Sequence, residues 1–104
     1  MFLEKLIQNN YPLYEYAFKA HQSGEILPDT YLLDLDTIVS NGRKMIEEAS
    51  KYGLELYFML KQIGRNPIVA RELMKIGFKG CVAVDYKDAL LMLDNDIPLC
   101  NVGH

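Results

Sequence analysis

The chain has 104 residues, of which 50% are hydrophobic and 24% are charged. This composition is typical of a globular domain and excludes a disordered chain, and the length supports one hydrophobic core but not two ordinary domains. The 11 basic and 14 acidic residues give a net charge of -3 and form no basic block, so nucleic acid is not an expected partner.

The first part of the chain, residues 1–28, is predicted to be a helical extension. Its apolar spacing fits one or two short amphipathic helices, interrupted near Pro12. A polar loop follows, and the apolar run at residues 31–35 then predicts the first strand. Asp36 is the expected N-cap of a helix that ends at Gly53.

From Gly53 onward one unit recurs: a turn residue ends a helix, an apolar strand follows, and a polar residue ends the strand. The polar residues at the strand ends are Lys61, Asp85 and His104, each at the same sequence distance from the preceding turn. Asn66, followed by proline, and Asp85 are the expected N-caps of the helices between the strands. Apolar strands that alternate with helices predict an α/β fold with parallel-strand (β/α) units.

The three strand-end residues are expected to lie close together. Right-handed crossovers place the carboxyl ends of parallel strands at one edge of the sheet, where ligands bind in open α/β sheets and in barrels. Because side chains alternate along a strand, Lys61 is expected on the face of Tyr57 and Met59. If the opposite, fully apolar face packs on helices, Lys61 points inward at the mouth of the sheet or barrel interior.

A lysine in that position has a chemical use. Loss of hydration disfavours its charged form and leaves more free amine, which attacks carbonyl groups. Lys61 would suit a covalent bond with a sugar aldehyde, a keto acid or pyridoxal phosphate. On the pattern alone, a lysine that extends from a strand end into water is the competing interpretation.

The sequence lacks the motifs of several other enzyme classes and the signals of membrane proteins. The chain has no GxGxxG, P-loop, GxSxG or HExxH motif, residues 1–10 contain no apolar stretch long enough for a signal peptide, and no apolar run reaches membrane length. We therefore expect a cytoplasmic protein with no membrane partner. Cys81 and Cys100 form no CxxC pair, which favours reduced core thiols over a disulfide or a metal site.

Several stretches of sequence carry a family resemblance. They are DTYLLDLDTI at residues 29–38, LYFMLK at 56–61, KQIGRNP at 61–67, VDYKDA at 84–89 and NVGH at 101–104. Together they resemble the start of alanine-racemase-like, fold-type III proteins that depend on pyridoxal phosphate. These stretches are most similar to a poorly characterised, amino-acid racemase-like branch of that superfamily. The resemblance covers residues 29–104 and leaves the extension without a clear counterpart.

The resemblance implies that residues 29–104 are the N-terminal part of a TIM barrel, with about three of its strands. It also implies that Lys61 carries pyridoxal 5'-phosphate as an internal aldimine and acts as one acid/base of an amino-acid racemase-like isomerase. In the family a tyrosine four residues after the lysine helps to hold the cofactor phosphate. Here Arg65 stands at that place and becomes the candidate phosphate ligand, with a solvated arginine before the N-cap as the competing interpretation. Asp85 and His104 are further candidates around the cofactor, with helix capping the competing role for Asp85.

Other functions stay open at this stage. The chain could be a non-catalytic half-barrel module that binds the cofactor or regulates a partner, or a cofactor-free aldolase that uses Lys61. We expect an amino acid as substrate and no racemase activity from 104 residues alone. Because an unfinished barrel leaves a strand edge unpaired, we also expect a homo-oligomer or association with the remainder of the barrel.

Overall fold

The computed structural model of the chain describes residues 1–103. They form two compact units, residues 1–34 and residues from Leu35 onward. The helices are α1 (Phe2–Asn9), α2 (Tyr11–Ser23), α3 (Leu35–Ser50), α4 (Pro67–Lys75) and α5 (Tyr86–Asp94), and the strands are β1 (Cys81–Ala83) and β2 (Leu99–Val102). None of the helices in the described residues combines the length and the apolar character that a membrane crossing requires.

The first unit contains the two short helices that the sequence predicts. Asn10 separates them: its side-chain oxygen accepts a hydrogen bond from the N–H of Leu13 at 3.3 Å, and its amide donates to Asp34 at 2.7 Å. Pro12 stands in the first turn of α2, where a missing N–H costs no helical hydrogen bond. The prediction of helices on both sides of this break is confirmed. The predicted domain boundary after residue 28 falls within this unit.

The prediction of an α/β fold that forms part of a TIM barrel is wrong for the described residues, which are mostly helical with a two-stranded sheet. The expected strand at residues 31–35 is absent: the chain is irregular up to Asp34, and Leu35 already begins α3. Asp36 consequently lies in the first turn of α3. A short apolar run fits a helix start as well as a strand, and a strand forms only where a neighbour takes up its backbone hydrogen bonds.

The expected second strand, residues 54–60, is an extended segment with a single parallel bridge, between Phe58 and Cys81. The Phe58 N–H donates to the Gly80 carbonyl at 3.0 Å, and the Phe58 carbonyl accepts from the Val82 N–H at 2.8 Å. Because β1 is only three residues long, it offers few backbone groups to this neighbour. The segment therefore does not become a regular strand.

The sheet itself is one parallel pair, in which β1 lies beside β2. Cys81 pairs with Leu99 and Ala83 pairs with Val102, with an irregularity in the register after Cys81. Since α5 connects the two strands, the structure contains one βαβ unit of the predicted pattern. The bridge at Phe58 places the extended segment on the other side of β1.

The core of the second unit is built from short elements that each contribute a few apolar side chains. The rings of Phe58 and Phe78 meet edge to face, with centroids 6.1 Å apart. Full burial of a Val, Leu, Phe or Met side chain is worth about 1.5–3 kcal/mol. The buried apolar residues of this unit are Ala49, Phe58, Leu60, Val69, Ala70, Leu73, Phe78, Cys81, Ala83, Ala89, Met92 and Ile97.

Gly80 allows the chain to approach the start of β2. A Cβ atom at Gly80 would lie 2.5 Å from the carbonyl oxygen of Pro98, and the Gly80 φ is +158°. That oxygen also accepts a hydrogen bond from the Cys81 N–H at 2.8 Å. Because the conflict is with backbone, no side-chain rotation relieves it.

We expect Gly80→Ala to lower the free energy of unfolding by about 3 kcal/mol. Gly53→Ala is the matched control: its φ is +67°, but nothing lies within 4 Å of the added Cβ. The control should lose only about 1 kcal/mol, the cost of a left-handed backbone at a non-glycine residue. Chemical denaturation measures both losses, and equal values would contradict the close approach at Pro98.

Candidate functional site

Lys61 begins a short 3-10 helix, Lys61–Ile63, directly after the extended segment. Its side chain is exposed, and Nζ has no hydrogen-bond or ion-pair partner among residues 1–103. Along the segment Phe58 is buried, whereas Tyr57 and Met59 are 41% and 47% exposed. Lys61 therefore follows side chains that face outward, and the described residues do not surround it with the apolar interior that the sequence predicts.

A tight turn connects Lys61 to α4. The Leu60 carbonyl accepts hydrogen bonds from the N–H groups of Ile63, at 3.1 Å, and of Arg65, at 3.0 Å. Gly64 and Arg65 both have left-handed backbones, with φ of 78° and 58°. For an arginine this conformation costs about 1–2 kcal/mol. We call residues 60–65 the lysine turn.

The lysine turn ends where α4 begins. The side-chain oxygen of Asn66 accepts hydrogen bonds from the N–H groups of Ile68, at 2.9 Å, and Val69, at 3.3 Å. Pro67 follows at the first helical position, where its fixed φ suits the helix. The prediction of Asn66 as an N-cap is confirmed, and the cap fixes where the turn joins the helix.

Arg65 forms an ion-pair cluster with two carboxylates at the start of α5. Its Nη2 lies 3.4 Å from Oδ2 of Asp85, and its Nε pairs with Oδ1 of Asp88. Neither Nε nor that Oδ1 atom has a hydrogen-bond partner elsewhere among the described residues, so each depends on the other. We call Arg65, Asp85 and Asp88 the Arg65 cluster.

The two carboxylates of the cluster also hold backbone groups. Oδ1 of Asp85 accepts from the Asp88 N–H at 2.8 Å, which confirms Asp85 as the N-cap of α5. The other oxygen of Asp88 accepts from the Val84 N–H at 3.0 Å. Asp88 is only 5% exposed. A buried carboxylate with an arginine partner and a backbone donor is a fixed anchor for the elements it joins.

Asp88 was predicted from the sequence only as part of the helix start at Asp85 and not as a residue of this site. Its signal was present, because it stands three residues after the N-cap Asp85, where a capping box often has an acidic residue. Nothing in the sequence indicated that this carboxylate would be buried or that Arg65 would reach it. The pairing depends on the left-handed lysine turn, which brings Arg65 back toward α5.

The structure brings together two of the predicted site residues, Arg65 and Asp85, and places Lys61 in the same turn as Arg65. The extended segment and β1 are parallel, so Lys61 and Asp85 both follow their carboxyl ends. His104 lies outside the described residues. The cofactor roles of Lys61, Arg65, Asp85 and His104 stay predictions.

The two cysteines occupy different environments. Both are free; Cys81 is buried in β1 and Cys100 is exposed in β2. Burial raises the pKa of the Cys81 thiol. The prediction of core thiols therefore holds for Cys81 and is wrong for Cys100. Over residues 1–103, no three His, Cys, Asp or Glu side chains are grouped so that they could hold a metal ion.

Comparison with known proteins gives a relative but no function. No protein-family model matches the chain. The chain is 45% identical over 104 residues to the uncharacterized protein YhfX of Escherichia coli (strain K12). The match covers 100% of this chain and 27% of YhfX, so the chain spans about a quarter of that relative's length. Residues 1–28, for which the sequence motifs offered no counterpart, therefore have one in YhfX.

We expect Asp88→Asn to lower the free energy of unfolding by about 2 kcal/mol, because it leaves the half-buried Arg65 without its closest carboxylate. Asp85→Asn is the matched control. Asparagine caps a helix as well as aspartate does, and the Asp85 pair with Arg65 is partly exposed, so the expected loss is within about 0.5 kcal/mol. Urea denaturation compares the two variants, and equal losses would show that the Asp88 carboxylate is not an anchor.

We expect a thiol reagent to modify Cys100 in the folded chain and Cys81 only after unfolding. Burial restricts access to Cys81, and its raised pKa keeps the thiol protonated and unreactive at neutral pH. Peptide mapping after timed alkylation separates the two sites, with Cys100→Ser as the control that removes the fast phase. Equally fast modification of Cys81 would contradict its burial in β1.

Proposed function

We propose that this chain carries the cofactor lysine, Lys61, of a longer pyridoxal-phosphate-dependent protein similar to amino-acid racemases. The sequence resemblance around LYFMLK and KQIGRNP supports this assignment. The observation that carries it is the position of Lys61, directly after the extended segment that bridges to β1 and in the same turn as Arg65.

The described residues fit the cofactor at its aldehyde. Lys61 would hold the cofactor covalently through Nζ at the aldehyde carbon. The fit at the phosphate is poorer, because Arg65 already pairs with Asp85 and Asp88. A phosphate would have to displace these carboxylates and leave the buried Asp88 charge without its partner. We therefore attribute the main phosphate contacts to other parts of the longer protein.

When bound, the cofactor withdraws electrons from the α-carbon of an amino acid. In this proposal Lys61 takes or returns the proton at that carbon on one face. Racemisation needs a second base on the opposite face, and the carboxylates nearest the lysine turn, Asp85 and Asp88, are paired with Arg65. We therefore expect the 104-residue chain to bind the cofactor but not to racemise amino acids.

The pairing of those charged groups also favours a second candidate function. If no further base joins Lys61 in the longer protein, this part of it is a non-catalytic module that binds the cofactor. In either case we propose a cytoplasmic protein that associates with a second copy or with the rest of a longer polypeptide. The outer edge of β2 supports association, since among the described residues no strand lies beside it.

The test is to mix the chain with pyridoxal phosphate, reduce with borohydride and map the modified lysine. We expect the adduct at Lys61, its loss in Lys61→Arg, and no change in Lys79→Arg, which removes another exposed lysine of the same unit. Adducts spread over the exposed lysines, without preference for Lys61, would refute the proposal.

A second measurement separates the candidate functions. Exchange of the amino-acid α-proton with deuterated solvent by the longer protein would favour catalysis, whereas adduct formation without exchange would favour a binding module. Trapping of a carbonyl compound on Lys61 in cofactor-free protein, with no preference for pyridoxal phosphate, would instead favour an aldolase.

A further inference from the structure

We propose that the Arg65 cluster positions Lys61 for the cofactor, so that Arg65 and Asp88 act through the lysine turn and do not contact a ligand. The inference rests on the proposed function of Lys61. It replaces the sequence-based role of Arg65 as a phosphate ligand with a positioning role, and it assigns a role to Asp88.

The lysine turn is held at both ends. At one end Leu60 is 5% exposed, and its carbonyl accepts from the N–H groups of Ile63 and Arg65. At the other end the Arg65 side chain is bound to Asp85 and Asp88. Lys61 lies between these two fixed points, so the direction in which its side chain leaves the backbone depends on both.

Asp88, which holds Arg65, is itself fixed in place. Asp88 is buried on α5, and its second oxygen binds the Val84 N–H just after β1. Arg65 thereby connects the turn to the residues that follow β1, of which Asp85 lies 20 positions further along the chain. β1 also bridges to the segment that precedes Lys61. The turn is therefore connected to β1 twice, once through this bridge and once through the contacts of Arg65 with Asp88.

The choice of arginine at position 65 also fits a positioning role. Position 65 has a left-handed backbone, which glycine or asparagine adopts more readily than arginine. Its guanidinium is also partly desolvated by the contact with Asp88. The desolvation cost of such an ion pair largely cancels its electrostatic gain, so the pair adds little net stability. Stability alone would not favour an arginine here, whereas a side chain long enough to reach α5 suits a positioning role.

The test uses the Asp88→Asn chain, with Val69→Ala as a control that weakens the core on α4 without touching the cluster. The first readout is the rate of adduct formation with pyridoxal phosphate at Lys61 relative to Lys79 in the same molecule. We expect this ratio to fall about tenfold in Asp88→Asn, because the misplaced amine reacts less often. It should stay unchanged in Val69→Ala, although both variants are less stable than the wild type.

The second readout is amide hydrogen exchange of Ile63 and Arg65, which both donate to Leu60. We expect faster exchange of these amides in Asp88→Asn than in Val69→Ala at the same global stability. This readout needs no cofactor, so it tests whether the cluster holds the turn even if the wild-type chain forms no adduct.

The outcomes separate the two proposals. If the wild type shows no preference for Lys61, the proposed function fails, and the exchange data alone decide whether the cluster holds the turn. If the wild type labels Lys61 and the ratio is the same in Asp88→Asn, the positioning role is wrong while the proposed function stands. If the ratio rises, Arg65 released from Asp88 binds the cofactor phosphate, and this too overturns the positioning role.

Discussion

The second unit of this chain depends on β1, a strand of three residues with a neighbour on each side. Cys81 bridges to Phe58 on one side and pairs with Leu99 on the other. At Gly80, next to β1, an added Cβ atom would collide with the Pro98 carbonyl oxygen, so this position requires glycine. Few backbone bonds hold the layer together, and burial of apolar side chains, among them Phe78, Met92 and Ile97, stabilises the unit.

The Arg65 cluster extends this arrangement from the strand to the turn. Without Arg65, the carboxylate of Asp88 would be a buried charge with only a backbone N–H as partner. Without Asp88, Arg65 would have a strained backbone and only a partly exposed pair with Asp85. Each charge thus offsets the desolvation cost of the other. Removal of either one leaves an unpaired buried charge, whose cost in free energy exceeds the net stabilisation by the pair. This mutual dependence fits a role in positioning the lysine turn. It fits ligand binding less well, because a ligand would have to replace one partner of the pair.

Local features of this fold were predictable from the sequence, and features that need a distant partner were not. Asn66 and Asp85 were predicted as N-caps because a cap involves only the next three residues. Residues 31–35 were predicted as a strand from their apolar character, but strand formation depends on a neighbour that no local pattern reveals. Asp88 was missed for the same reason, since its partner Arg65 is far away in sequence and reaches it only through the left-handed turn.

The exposure of Lys61 determines what the rest of a longer protein would have to supply. The neutral form of an amine is the form that adds to an aldehyde. Residues 54–60 present Tyr57 and Met59 on the exposed side, next to the lysine, so an apolar cover over these side chains would also remove water from Nζ. The same cover would exclude water from the bond that the amine forms. In this interpretation the turn and the Arg65 cluster fix where the amine lies, while the covering polypeptide determines how reactive it is.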